Sequence, residues 1–91
     1  MNNFKELIVW QKSRTLVKAT YVLSEQIPNA EKFGLISQIR RSVVSIPSNI
    51  AEGASRSSKK EFAYFLEMAY GSCFELETNK NLASPVARSY K

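Results

Sequence analysis

Histidine and aspartate are both absent from this 91-residue chain, and cysteine occurs once, at Cys73. Without histidine the usual general base near neutral pH and the commonest transition-metal ligand are missing. A Ser-His-Asp or Cys-His arrangement therefore cannot be assembled, and one cysteine without histidine cannot form a zinc site from a single chain. The three glycines, Gly34, Gly53 and Gly71, stand alone, so there is no glycine-rich phosphate loop. Paired glutamates are the remaining route to catalysis, and no spacing points to one. The expectation is a protein that is not an enzyme and carries no metal and no cofactor. A single cysteine allows no internal disulfide and fits a reducing compartment. No run approaches the roughly 18 apolar residues of a membrane span, and the first residues show no signal-peptide pattern. Together these predict a cytoplasmic chain with no membrane partner.

The chain does hold positive charge. Thirteen lysines and arginines face eight glutamates, for a net charge of +5. A basic domain attracts nucleic acid because phosphate neutralisation releases counterions. The same charge also serves solubility, and charge alone does not choose between the two. The length allows one domain, residues 1–91.

Three segments carry helical periodicity. In the first, about 7–26, Val9, Leu16, Ala19 or Thr20, Leu23 and Ile27 form a stripe. Trp10, Val17, Tyr21 and Ser24 widen it, with Trp10 read as a core or interface anchor. Pro28 and Asn29 end the segment. The second, about 34–52, places Leu35, Ile39, Val43, Ile46 and Ile50 on one face. Pro47 interrupts its hydrogen bonding and predicts a kink or a break into two pieces, since it clashes with the carbonyl of Val43. Asn49 and the serines at 42, 45 and 48 are read as satisfying backbone groups freed by Pro47, and the serines as allowing a close helix approach. Gly53 is placed to end this helix. The third segment, about 59–78, opens on Ser58-Lys59-Lys60-Glu61, a capping box. Its stripe is Phe62, Phe65 or Leu66, Ala69, Cys73 and Leu76, which makes Cys73 a buried, inert thiol. Gly71 within this helix suggests a close backbone neighbour. Residues 79–91 carry no sustained pattern and read as irregular or as one short helix.

Arg40, Arg41, Arg56, Lys59 and Lys60 are read as one basic cluster near the corner between helices two and three. Lys5, Lys12, Arg14 and Lys18 form a second set on helix one. Glu67, Glu75 and Glu77 make the far part of helix three acidic. Such a polarity suits phosphate contacts with little base readout, because no basic-aromatic alternation of a stacking platform is evident. A solvated charged face is the plainer alternative. Arg40 and Arg41, about 100° apart on a helix, are expected to divide between solvent and a pairing with a glutamate or a subunit.

At this point the sequence resembles the four-helix-bundle family of 23S rRNA intervening-sequence proteins, a family that also includes the accessory variability determinant of diversity-generating retroelements. The residues that carry the resemblance are Leu7-Ile8-Val9-Trp10-Gln11-Lys12, Phe33-Gly34-Leu35 and Ser37-Gln38-Ile39-Arg40-Arg41. They continue with Ser45 through Gly53, Lys60-Glu61-Phe62, Gly71-Ser72 and Glu75-Leu76-Glu77-Thr78. The run Pro47-Ser48-Asn49-Ile50-Ala51-Glu52-Gly53 is specific, and coverage is about Phe4 to Thr78. The resemblance implies an antiparallel up-down bundle that assembles as a homopentamer, without catalytic residues. It also implies RNA or DNA as a partner and, for the retroelement members, a reverse transcriptase. Family members continue past Thr78 into the rest of helix three, a turn and a full fourth helix, whereas residues 79–91 here lack that pattern. The expectation is an all-α chain of three long helices with the fourth missing or rudimentary, leaving apolar surface on helices one and three.

The leading expectation is non-catalytic binding of structured RNA through a basic face of a homo-oligomer, with Arg40, Arg41, Arg56, Lys59, Lys60, Lys12, Arg14 and Lys18 as contacts. Pro47, Asn49, Glu52 and Gly53 form the structural motif. Two other readings stand beside it: a protein-interaction scaffold, or a truncated remnant without function.

Overall fold

Three α-helices make up the fold, in a computed structural model that describes residues 3–27 and 32–89. A 3-10 turn (Phe4–Glu6) precedes α1 (Ile8–Ser24), and a π-helical turn (Lys32–Ile36) leads into α2 (Ser37–Ala54), which is followed by α3 (Lys59–Ser89). The described residues contain no strand, so the all-α, three-helix expectation holds. The predicted stop of helix one at Pro28 and Asn29 lies outside the described residues.

α2 lies between α1 and α3, which touch each other little. Both neighbours run antiparallel to it. Ser24, at the end of α1, meets Arg40 near the start of α2, while the 3-10 turn before α1 also packs on α2. On the other side Gly53 faces Phe62 and Phe65, and Ser45 is hydrogen-bonded to Ser72. α2 can serve both neighbours because its apolar stripe is the most regular in the sequence. Ile39, Val43, Ile46 and Ile50 are all buried, joined by Ile36 from the lead-in turn and by Ala69 and Leu76 from α3.

Pro47 is accommodated inside an unbroken α2. Ser48 Oγ donates to the carbonyl of Val44 at 2.9 Å, and Asn49 Nδ2 donates to that of Ser45 at 2.8 Å. These side chains thus reinforce the carbonyls next to that of Val43, whose amide partner the proline removes. The helix continues through Gly53, contrary to the expectation that Gly53 ends it. Its φ is not positive; what Gly53 provides is space. A Cβ there would lie 2.8 Å from Phe65 Cβ and 2.9 Å from Phe62 Cδ1.

α1 meets α2 through a face rotated from the predicted stripe. Its fully buried positions are Ser13, Thr20 and Ser24, flanked by half-buried Trp10, Leu16 and Val17, whereas Val9, Ala19 and Leu23 are exposed. The wide apolar band of α1 permitted several choices of facing side. Small hydroxyl residues win because they let two helices approach closely, and Ser13 and Ser24 bond their own carbonyls at Trp10 and Tyr21. Thr20 Oγ1 has no partner among the described residues.

α3 departs most from the sequence reading. It begins at the expected cap, where Ser58 Oγ accepts the Glu61 amide at 3.1 Å and donates to the Glu61 carboxylate at 3.3 Å. Instead of stopping near Thr78, it then runs for 31 residues to Ser89. At 1.5 Å per residue it is about 46 Å long against about 27 Å for α2, so it runs past its partner. Its inward face steps through Phe62, Phe65, Ala69, Ser72, Leu76 and Asn79, and Asn79 is buried in register rather than starting a tail. Cys73 is exposed, not buried, because it is one position round from Ser72. Gly71 is exposed as well, with nothing within 4 Å of a Cβ there, so it marks no close neighbour.

Candidate nucleic-acid interface

The positive residues separate into two groups that the linear sequence had joined. Arg40 and Arg41 lie fourteen and thirteen positions before Ala54, at the end of α2 away from the α2–α3 corner. That separation is about 20 Å along the helix axis. Arg56, Lys59 and Lys60 remain at the corner. The antiparallel course of α1 brings the 3-10 turn with Lys5 and the first turns of α1, with Lys12 and Arg14, toward this corner end of the bundle. Lys18 stands about midway along α1, closer to the level of Arg41.

Arg40 is half-buried and committed to the fold. Its Nε donates to Ser24 Oγ at 2.9 Å, and its guanidinium carbon lies 4.7 Å from the centre of the Tyr21 ring. Ser24 passes this bond on by donating to the carbonyl of Tyr21 at 2.9 Å. Arg41 is exposed. The division between the two arginines follows their angular offset on the helix, and the internal partner proves to be a serine and a ring rather than a glutamate. Arg14 stands 5.9 Å from the Trp10 ring centre, which Phe4 meets edge-on from 5.1 Å. Trp10 packs against the core as a half-buried anchor.

At the corner, the Arg56 guanidinium bonds Glu52 at 2.6 Å and lies 4.9 Å from the Phe65 ring centre. Its Nε is buried without an acceptor among the described residues. Tyr64 meets Phe65 edge to face at 5.2 Å. Arg56, Lys60, Glu61, Tyr64 and Phe65 line a shallow open cleft of about 400 Å³. Glu52 and Glu61 offset part of the charge of Arg56, Lys59 and Lys60, so the exposed cations on the outer turn are Lys59 and Lys60. The sequence reading missed this aromatic component. Its signal was present in the helical spacing: Lys60 and Tyr64, like Glu61 and Phe65, are four apart and share a face.

The structural motif around Pro47 is internal in its contacts. The Asn49 amide bonds within α2, Glu52 holds Arg56, and Gly53 admits α3. No group of three or more His, Cys, Asp or Glu able to hold a metal occurs among the described residues. No described helix is long and apolar enough to cross a membrane.

Large apolar side chains remain outside the core on both outer helices. On α1 these include Ile8 (68% exposed), Val9, Val22 and Leu23; on α3 they include Met68, Tyr70 (65%) and Phe74 (56%). Each outer helix is covered by α2 on one side, and this leaves the second side open, as expected.

The fold and its charged end thus define an all-α helical bundle with a basic corner and uncovered apolar flanks. The family model described as 23S rRNA-intervening sequence protein matches residues 5–87, and the chain belongs to that family. The match covers most of α3, so the resemblance does not end at Thr78. A search of curated proteins finds no match.

Proposed function

We propose that this protein binds structured RNA without catalysing a reaction, through the basic corner of a bundle that associates with copies of itself. The observation that carries the reading is the placement of Lys59 and Lys60 in the first turn of α3. A helix N-terminus is the positive end of the macrodipole and disfavours cations. Two adjacent lysines there oppose helix stability, yet they add their charge to the positive end of the helix dipole and so form an anion-attracting surface. Lys5, Lys12 and Arg14 extend the positive charge at the same end, and RNA is the polyanion proposed because the family's description names 23S rRNA. Arg40 belongs to the scaffold under this reading, and Arg41 is a separate, distal contact.

Fluorescence anisotropy with a structured RNA fragment tests this directly. Affinity should fall steeply between about 50 and 200 mM salt, and Lys59→Glu with Lys60→Glu should reduce the salt slope by about two. The same double substitution should slightly raise the unfolding midpoint, because it places acidic groups at the helix start. Binding indifferent to salt, or unaffected by the double substitution, refutes the reading.

The uncovered apolar flanks favour a second reading, a protein-interaction scaffold. Nuclease-treated pull-downs that retain a protein partner, combined with salt-independent RNA results, would select it.

A further inference from the structure

We infer that the cleft at the α2–α3 corner takes one unpaired nucleotide of the RNA, stacking its base on the exposed Tyr64 ring beside Arg56 while Lys60 meets its phosphate. This rests on the RNA-binding reading above and adds what the site recognises. A patch that only reads phosphates needs cations and no rings. Here the basic residues border two rings set at 84° to each other: Tyr64 is 56% exposed and offers its ring to solvent, while Phe65 carries the Arg56 guanidinium over it, fixed from the side by Glu52 at 2.6 Å. Pre-organised rings and guanidinium planes are the surfaces on which unstacked bases are held. The interior of a duplex cannot offer a base face to such a cleft, since its bases are stacked on one another. The volume of about 400 Å³ falls within the range of small-molecule sites, roughly 300–1,000 Å³. Lys60, one turn before Tyr64 on the same face, sets a cation beside the ring where a phosphate attached to the bound nucleotide would lie. Glu61, on the cleft wall and already engaged by Ser58, supplies an acceptor suited to a base amino group.

The experiment compares two RNAs of equal stem length, one closed by an unpaired loop carrying 2-aminopurine and one fully paired, against the intact protein. The looped RNA should bind more tightly, by roughly 5- to 150-fold if one stacked base is gained, and its 2-aminopurine emission should be quenched. Tyr64→Leu should abolish both the preference and the quenching without changing affinity for the paired RNA, and Tyr64→Phe should retain both. Tyr64 is 56% exposed, so neither change should threaten the fold, which circular dichroism of both variants checks. Equal, salt-dependent binding of both RNAs with no effect of Tyr64→Leu overturns the nucleotide site and leaves the RNA-binding reading standing. Salt-independent or absent binding of both overturns that reading and the site with it.

Discussion

Gly53 on α2 and Phe65 on α3 approach so closely that a Cβ on the glycine would lie 2.8 Å from the Phe65 Cβ. This contact draws α3 onto α2 just before the corner. It places Phe65 under Arg56 and thereby shapes the cleft. A methyl group at this point has no flexible neighbour to displace, since the Phe62 carbonyl oxygen also stands at 3.3 Å. Gly53→Ala should therefore destabilise the fold by about 1–2 kcal/mol, overpacking outweighing a gain in helix propensity of about 1 kcal/mol. Gly71→Ala should do the reverse. Nothing lies within 4 Å of that position, so only the propensity gain remains, up to about 1 kcal/mol. Urea unfolding of the two variants reads both signs, and equal effects would show that the two helices are not in this contact.

The adjacent arginines of α2 should separate by assay. Arg40→Ala removes a hydrogen bond to Ser24 and a ring contact with Tyr21, together worth about 1–2 kcal/mol of stability. Arg41→Ala should leave stability within about 0.5 kcal/mol, as expected for an exposed residue without such contacts. Thermal melts of both variants decide it, and an equal loss for each would contradict the assignment.

Thr20 is 1% exposed and its hydroxyl lacks a partner among the described residues. Thr20→Val keeps the shape and removes an unpaired polar atom, so stability should rise by about 1 kcal/mol or more. A loss on denaturant titration would mean that the hydroxyl finds a partner in solution.

The outer face of α3 should respond to charge. Tyr70 and Phe74 meet edge to face at 4.9 Å and are mostly exposed. Lysine at both positions should lower the apparent mass in light scattering while leaving the helical circular dichroism unchanged, because neither ring belongs to the core. Cys73, on the same face, should react with a thiol reagent in the folded protein more slowly as protein concentration rises. Concentration-independent reactivity and mass would place self-association elsewhere.

The sequence by itself determined the helical class, the α2 stripe and the cap of α3. Each of these is set by residues a few positions apart: Ile39, Val43, Ile46 and Ile50 share a face by period alone, and Ser58 reaches Glu61 within one turn. It also excluded a histidine-based site by composition. The run Pro47 to Gly53 marked the family but misled about Gly53, because a glycine near a helix end looks the same whether it caps or yields space. Only the tertiary structure decided which side of α1 faces inward, since apolar residues ringed much of that helix and close approach favoured Ser13, Thr20 and Ser24. It alone carried α3 past Thr78, where Asn79 keeps the inward register that an apolar count overlooks. It alone separated Arg40 and Arg41 from Arg56, Lys59 and Lys60, because α2 spans the distance between them. And it alone joined Arg56 to Phe65 and Tyr64: the corner folds residues before α3 back over the helix's own second turn, a proximity set by the path of the chain.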